Sequence, residues 1–87
     1  MDNKELIILG AGGHGYVAAE IAEQSGYNVN FLDDLKASDK SVIGKISDYK
    51  KYLSDHCFFI AIGDNKIRKK LFTELVADKA NIVTLIH

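Results

Sequence analysis

The sequence has little that would mark a secreted, membrane-embedded or nucleic-acid-binding protein. Its single cysteine, Cys57, excludes a disulfide framework within the chain and suits a reducing cytosol. A net charge of −1 gives no electrostatic attraction for nucleic acid or for an anionic membrane. The longest apolar run, Cys57 to Ile62, is far too short to cross a bilayer, and the first residues lack the apolar core of a signal peptide. We therefore expect a cytoplasmic protein with no nucleic-acid or membrane partner.

Familiar catalytic and metal-binding patterns are also missing. The sequence has no cysteine–histidine cluster with zinc spacing, no Walker A lysine and no serine in the context of a nucleophile elbow. It has no internal repeat, so residues 1–87 are treated as one small domain, which buries only about 60–65% of its unfolded surface. These patterns provide no candidate catalytic residue and no candidate metal ligand.

Short apolar runs alternate with amphipathic segments along the chain. The segment VIGKI predicts a short edge strand, the runs ELIILG and CFFIAI predict buried strands, and YNVNFL and NIVTLI predict two further strands. Residues 14–25 and DNKIRKKLFTELVAD predict helices, and Ser47 is a candidate cap for a short helix that ends at Leu53. The apolar faces predicted for the two longer helices are Val17, Ala18, Ile21 and Ala22, and Ile67, Leu71, Leu75 and Val76. Alternating strands and helices predict an α/β fold, a small Rossmann-like parallel sheet with helices on both faces.

The segment GAGGHG carries the clearest functional signal. Gly10, Gly12 and Gly15 fit G-x-G-x-x-G between a predicted strand and a predicted helix. Such glycines permit a tight turn, close approach of a ligand to the backbone, and close packing of the helix on the sheet. The helix N-terminus that follows favours an anion such as a phosphate, and His14 stands at that point. The alternative is that the glycines serve packing alone and that His14 is an ordinary surface histidine.

Two further loops are predicted at the same edge of the sheet. Asp33 and Asp34 end the second strand, where a carboxylate can accept hydrogen bonds from the hydroxyls of a nucleotide. The alternative is a solvated turn at the start of a polar surface loop, residues 33–41. Gly63 and Asn65 follow the third main strand, and the alternative there is a helix cap supplied by Asp64 or Asn65.

Four ordered motifs cover essentially the whole chain: IILGAGGHGYVAAEIAEQSGY, NFLDD, FFIAIGDNKIRKKL and LIH. In these motifs the chain resembles the N-terminal domain of the PglD/NeuD family of bacterial sugar acyltransferases. The GHG in the glycine loop and the AIGDN followed by IR are more specific than G-x-G-x-x-G alone. The resemblance implies a Rossmann-like domain that binds a nucleotide-activated amino sugar, typically a UDP-4-amino sugar. The family also includes sialic acid O-acetyltransferases, so either an amine or a hydroxyl is a possible acceptor.

The resemblance also implies where the substrate lies and what the chain lacks. The implied substrate contacts are Gly12, Gly13 and His14, Asp33 and Asp34, and Gly63 and Asn65. In the family, a left-handed β-helix of hexapeptide repeats follows this domain, forms the trimer, binds acetyl-CoA and supplies the catalytic histidine. No hexapeptide repeat is present up to His87. We therefore expect this chain to bind a UDP-amino sugar or a related nucleotide sugar, to need no cofactor of its own, and to be inactive alone.

Two other functions remain open from the residues. The glycine loop and a strand-end aspartate also fit a regulatory module that binds NAD or another nucleotide, although a dinucleotide needs two mononucleotide halves in a larger sheet. A structural domain with a vestigial site is the third possibility, and it predicts no stabilisation by any ligand.

Overall fold

The chain folds around a five-stranded parallel sheet in the computed structural model, which describes residues 4–35 and 41–84. The strands are β1 (Glu5–Leu9), β2 (Asn28–Leu32), β3 (Val42–Gly44), β4 (Cys57–Ile60) and β5 (Asn81–Ile82). They lie side by side in the order β3-β2-β1-β4-β5, and every pair is parallel. This is the order of the first five strands of the doubly wound dinucleotide-binding fold, in which the direction of strand addition reverses between β1 and β4.

Three helical segments connect the strands and cover both faces of the sheet. They are α1 (Gly13–Gln24) after β1, a 3-10 helix (Ile46–Tyr52) after β3, and α2 (Asn65–Ala77) after β4. Successive side chains of β1 point to opposite faces, so Leu6 and Ile8 join the core beneath α1. Ile7 and Leu9 join the core beneath the other two helices. The predicted α/β fold with helices on both faces is confirmed.

Helix α1 packs on the sheet through small residues. Its buried positions are Gly15, Ala18, Ala19 and Ala22, a stripe with the spacing of one helix face. Val17 lies nearly opposite this stripe and is 60% exposed, so the prediction that Val17 faces the core is wrong. The buried face is one on which the helix backbone can approach the sheet closely, and this favours alanine and glycine over valine.

Helix α2 packs through two leucines, Leu71 and Leu75. Ile67 and Val76 are 50% and 53% exposed, so the prediction that they complete a buried face is wrong. The edge strand β5 has two residues, where the run NIVTLI predicted a longer strand. Leu85 and Ile86 of that run, and His87, lie outside the described residues.

The 3-10 helix begins after Lys45, not at Ser47, so the prediction of Ser47 as its cap is wrong. The Asp48 side chain provides the local bond instead, because its Oδ2 accepts the Lys45 N–H at 3.0 Å. This bond from the backbone holds the pKa of Asp48 below its ordinary value. Within residues 33–41, the loop predicted from the sequence, positions 36–40 lie outside the described residues.

Candidate functional site

Three loops leave the sheet at its carboxyl edge, on either side of β1. The Gly10 N–H donates to the Leu32 carbonyl at 2.9 Å, which ties the end of β1 to the end of β2. The Ala61 N–H donates to the Leu9 carbonyl at 2.8 Å, which ties the end of β4 to β1. The glycine loop, the acidic pair and the loop after β4 therefore start from one place, which is the point where ligands bind in open parallel sheets.

The glycines of the first loop have two different tasks. Gly10 has φ +111°, and a Cβ there would lie 2.8 Å from the Ala61 carbonyl oxygen. A Cβ at Gly15 would clash with the backbone carbonyl of Gly10, so this glycine lets α1 sit directly against the end of β1. Gly12 and Gly13 differ, because a Cβ at either would have no atom within 4 Å. The absence of side chains at Gly12 and Gly13 leaves open space above the loop.

The N-terminus of α1 faces this open space. Gly12 is its N-cap residue, with extended backbone angles and no side chain to accept a hydrogen bond. The Tyr16 N–H donates to the Gly12 carbonyl, but the N–H groups of the three helical residues before Tyr16 have no acceptor within the helix. His14, in this first turn, is exposed. Gly13 and His14 are exposed, so their amides and the positive end of the helix dipole together favour an anion at this point.

The acidic pair lies beside the loop and is bonded within the protein. Asp33, which is half-buried, accepts the Ala11 N–H at 2.7 Å on Oδ2 and the Leu35 N–H at 2.8 Å on Oδ1. Asp34 is exposed, and its Oδ1 accepts the Ile46 N–H at 2.9 Å at the start of the 3-10 helix. The structure thus brings Asp33 to the glycine loop and turns the bonded oxygen of Asp34 toward the 3-10 helix.

The loop after β4 ends in a capped helix. Asp64 is the N-cap residue of α2, and its Oδ1 accepts the Lys66 and Ile67 N–H groups at 2.9 and 3.1 Å. Asn65 is not the cap; its side-chain oxygen accepts a hydrogen bond from Arg68. Gly63 is exposed, with open space where a Cβ would lie. Gly63 and Asn65 share the carboxyl edge of the sheet with the glycine loop, as expected from the topology.

Two concave surfaces that the sequence did not reveal flank α2. A cavity of about 460 Å³ lies between α2 and β5, and its walls include Phe59, Asn65, Arg68, Phe72 and Val83. Phe72, an aromatic residue outside the predicted apolar face of α2, is the sequence feature that could have indicated it, and in the structure it is half-exposed. No residue of the glycine loop lines this cavity, although Asn65, a predicted site residue, does.

The second cavity, of about 510 Å³, lies between α2 and the 3-10 helix. On its wall the Tyr49 hydroxyl donates to Asp78 Oδ2 at 2.6 Å. Burial, together with the hydrogen bond to Asp78, raises the pKa of Tyr49 to about 12. This bond joins the 3-10 helix to the C-terminal end of α2.

Within residues 4–35 and 41–84, no three histidine, cysteine, aspartate or glutamate side chains are grouped as ligands for a metal ion. Over the same residues, no helix combines the length and apolar character needed to cross a membrane.

Comparison with known families identifies this arrangement of strands and loops. The family model of the PglD N-terminal domain matches residues 5–75. The chain belongs to the PglD N-terminal domain family. The match spans β1 through most of α2 and so contains all three loops of the candidate site.

Relatives of this PglD-type domain are acetyltransferases. The chain is 31% identical to UDP-N-acetylbacillosamine N-acetyltransferase of Bacillus subtilis (strain 168), over 97% of this chain and 43% of that protein. It superimposes on the acetyltransferase domain of PglB from Neisseria gonorrhoeae FA1090 with a TM-score of 0.86 and 34% identity, over 98% of this chain and 45% of that one. The structure of that domain in complex with acetyl coenzyme A matches with a TM-score of 0.74, over 87% and 40% of the two chains. This chain therefore spans less than half the length of the relatives it matches.

Proposed function

We propose that this chain is the nucleotide-sugar-binding domain of a sugar N- or O-acetyltransferase. The observation that carries the proposal is the uncapped N-terminus of α1, which faces open space over Gly12 and Gly13 at the reversal point of the sheet. A nucleotide sugar carries a diphosphate, the kind of anion that such a helix terminus stabilises. The similarity to an enzyme named for UDP-N-acetylbacillosamine supports a UDP-amino sugar as the ligand.

In this proposal the three loops divide the ligand between them. The phosphates lie against the backbone of Gly12, Gly13 and His14, where no side chain stands in the way. Gly63 and Asn65 form the wall on the β4 side, and the acidic pair, Asp33 and Asp34, forms the wall on the β2 side. Carboxylates are acceptors at neutral pH, so this second wall suits the hydroxyl or N–H groups of the ligand.

Acetyl transfer itself is assigned to the remainder of a longer protein. The N. gonorrhoeae domain that binds acetyl coenzyme A is more than twice as long as the part this chain matches. The proposal therefore places acetyl-CoA, the catalytic histidine and the trimer contacts outside these residues, and this chain alone is inactive. A role in the synthesis of glycan precursors and a cytoplasmic location remain predictions.

The experiment that tests the proposal is calorimetric titration of the chain with a UDP-4-amino sugar, UDP, CMP-sialic acid, NAD and acetyl-CoA. We expect a UDP-linked ligand to bind most tightly, and at 100 times its Kd to stabilise the fold by about 2.7 kcal/mol. Gly12→Val should remove binding and leave folding intact, because the backbone angles of Gly12 are extended and the space around it is open. Ser54→Val, at an exposed position before β4 and so at the opposite edge of the sheet, is the matched control.

Three results would contradict the proposal. Preferential binding of NAD would favour the regulatory module, for which the strand order is the supporting observation. Preferential binding of acetyl-CoA would place the cofactor in this domain. Binding of no ligand at all would favour a structural domain with a vestigial site.

A further inference from the structure

The carboxylate of Asp33 connects three segments of the chain. It extends from the end of β2, accepts the Ala11 N–H of the glycine loop on one oxygen, and accepts the Leu35 N–H of its own loop on the other. Ala11 is fully buried, so its amide depends on a protein partner in place of water. The bond joins residues 22 positions apart in the sequence, and it forms within the protein without a ligand.

This bond lies directly beside the proposed phosphate site. Gly10 is fixed through its N–H to Leu32, and Ala11 is fixed through its N–H to Asp33. The next residue, Gly12, is the N-cap of α1, and a Cβ there would have no atom within 4 Å. The Asp33 bond therefore restrains the backbone directly before the first turn of α1.

We propose that Asp33 is a positioning residue, which holds the glycine loop so that the amides of the first turn of α1 meet the phosphates of the ligand. This rests on the proposed function, since the loop must be a phosphate site for its position to matter. It assigns Asp33 a task distinct from that of a strand-end carboxylate that accepts hydrogen bonds from a ribose. Asp34 has no contact with the glycine loop among the bonds described and bonds the 3-10 helix.

Because Asp33 is charged, the two possible roles predict opposite changes in the affinity for a diphosphate when Asp33 is neutralised. At neutral pH pyrophosphate and the ionised Asp33 carboxylate are both anions, so the carboxylate repels the ion. If Asp33 acted on the ligand only through its charge, neutralising it would tighten the binding of a diphosphate. If Asp33 holds the loop, neutralising it loosens the amides and weakens the binding of the same ion.

The test is a titration of isotope-labelled protein with inorganic pyrophosphate, followed by amide NMR signals. We expect Asp33→Asn to weaken pyrophosphate binding by about tenfold, the loss that one charge-assisted hydrogen bond can produce. The matched control Asp55→Asn, at an exposed carboxylate before β4 and so at the opposite edge of the sheet, should bind with unchanged affinity. In the ligand-free protein, Asp33→Asn should also speed hydrogen exchange at the Ala11 amide and shift the signals of Gly12, Gly13 and His14, and Asp55→Asn should not.

Unchanged or tighter binding by Asp33→Asn, with the Ala11 amide as protected as in the wild type, would overturn the proposal. If the wild type binds neither pyrophosphate nor UDP, the proposed function fails, and the ligand-free exchange and shifts still decide whether Asp33 holds the loop. If Asp33→Asn does not fold, the wild type decides by titration with acid. The Ala11 amide signal must then change with the same midpoint as the Asp33 carboxyl carbon, and different midpoints would overturn the proposal.

Discussion

The two helices that start at the carboxyl edge of the sheet begin in opposite ways. Helix α2 opens at Asp64, whose carboxylate accepts two of the first N–H groups of the helix. Helix α1 opens at Gly12, which has no side chain, and its nearest carboxylate, Asp33, bonds Ala11 before the helix begins. One terminus is therefore occupied by its own chain, whereas the other is held in place and left open.

This difference indicates which terminus is built for a ligand. Both helices follow neighbouring strands of one sheet, so the topology alone gives each the same opportunity to bind an anion. At α2 an incoming phosphate would have to displace the Asp64 carboxylate and would be repelled by it. At α1 the ligand would replace only water.

The largest effect is expected where α1 meets β1. Gly15→Ala places a methyl group against the Gly10 carbonyl, which is backbone and cannot turn aside. We expect a loss of about 3 kcal/mol or more in the free energy of unfolding, measured by chemical denaturation, and a fall in Tm of more than about 10 °C. Gly13→Ala adds the same methyl group in open space at the start of α1 and should cost nothing. Equal stability of the two variants would show that α1 does not sit as closely on β1 as described.

A carboxylate cap like that of α2 can be introduced at the N-terminus of α1. Gly12→Asp places a carboxylate at a residue whose extended backbone angles suit an N-cap. We expect calorimetry to show at least about tenfold weaker binding of the UDP-amino sugar. The added cap should raise the free energy of unfolding by a few tenths of a kcal/mol. Gly12→Asn, a cap without charge, should weaken binding less. Undiminished binding by Gly12→Asp would place the phosphates elsewhere.

Removing the cap of α2 should affect stability alone. Asp64→Ala deletes the acceptor of two backbone N–H groups, and such a loss costs about 1 kcal/mol. Chemical denaturation should detect this loss, and calorimetry should show the affinity for the UDP-amino sugar unchanged within about twofold. A large loss of affinity would mean that α2 also contributes its N-terminus to the ligand.

The smallest effect concerns the hydrogen bond that joins the 3-10 helix to the C-terminal end of α2. Because the pKa of Tyr49 is raised to about 12, its bond to Asp78 contributes stability that is complete below about pH 10. That contribution is lost as the pH rises through about 12. We expect Tyr49→Phe to be about 1 kcal/mol less stable than the wild type at pH 8, with a difference that narrows between pH 10 and 12. A difference independent of pH would contradict this assignment, and Tyr52→Phe is the control, since Tyr52 has no bond to Asp78.

The sequence predicted the elements of this site better than their contacts. The strand β1 and the loop glycines were predictable because an apolar run followed by G-x-G-x-x-G has few alternatives. The cap at Asp64 was one of two options, since an aspartate before an amphipathic segment commonly starts a helix. The bond between Asp33 and Ala11 could not be predicted, because its partners are 22 residues apart and meet only when β1 and β2 pair.

Helix orientation was the other weak point. Val17 and Val76 were assigned to the core because they are apolar, yet the structure exposes both. At α1, Gly15 lets the helix approach β1 so closely that only small residues, the alanines of the same face, fit between helix and sheet. The distance between helix and sheet cannot be read from the residue types. At α2 only Leu71 and Leu75 are buried, and the apolar residues beside them do not reveal this from their type alone.

A nucleotide sugar bound at the open terminus of α1 should perturb the backbone amides of that terminus. The most direct measurement is titration of the isotope-labelled chain with a UDP-4-amino sugar, with the backbone amide signals followed residue by residue. We expect the largest shifts at Gly12, Gly13 and His14, and almost none at Lys66 and Ile67, whose amides Asp64 already binds. Shifts concentrated at Lys66 and Ile67, with Gly12 to His14 unaffected at saturation, would contradict this expectation.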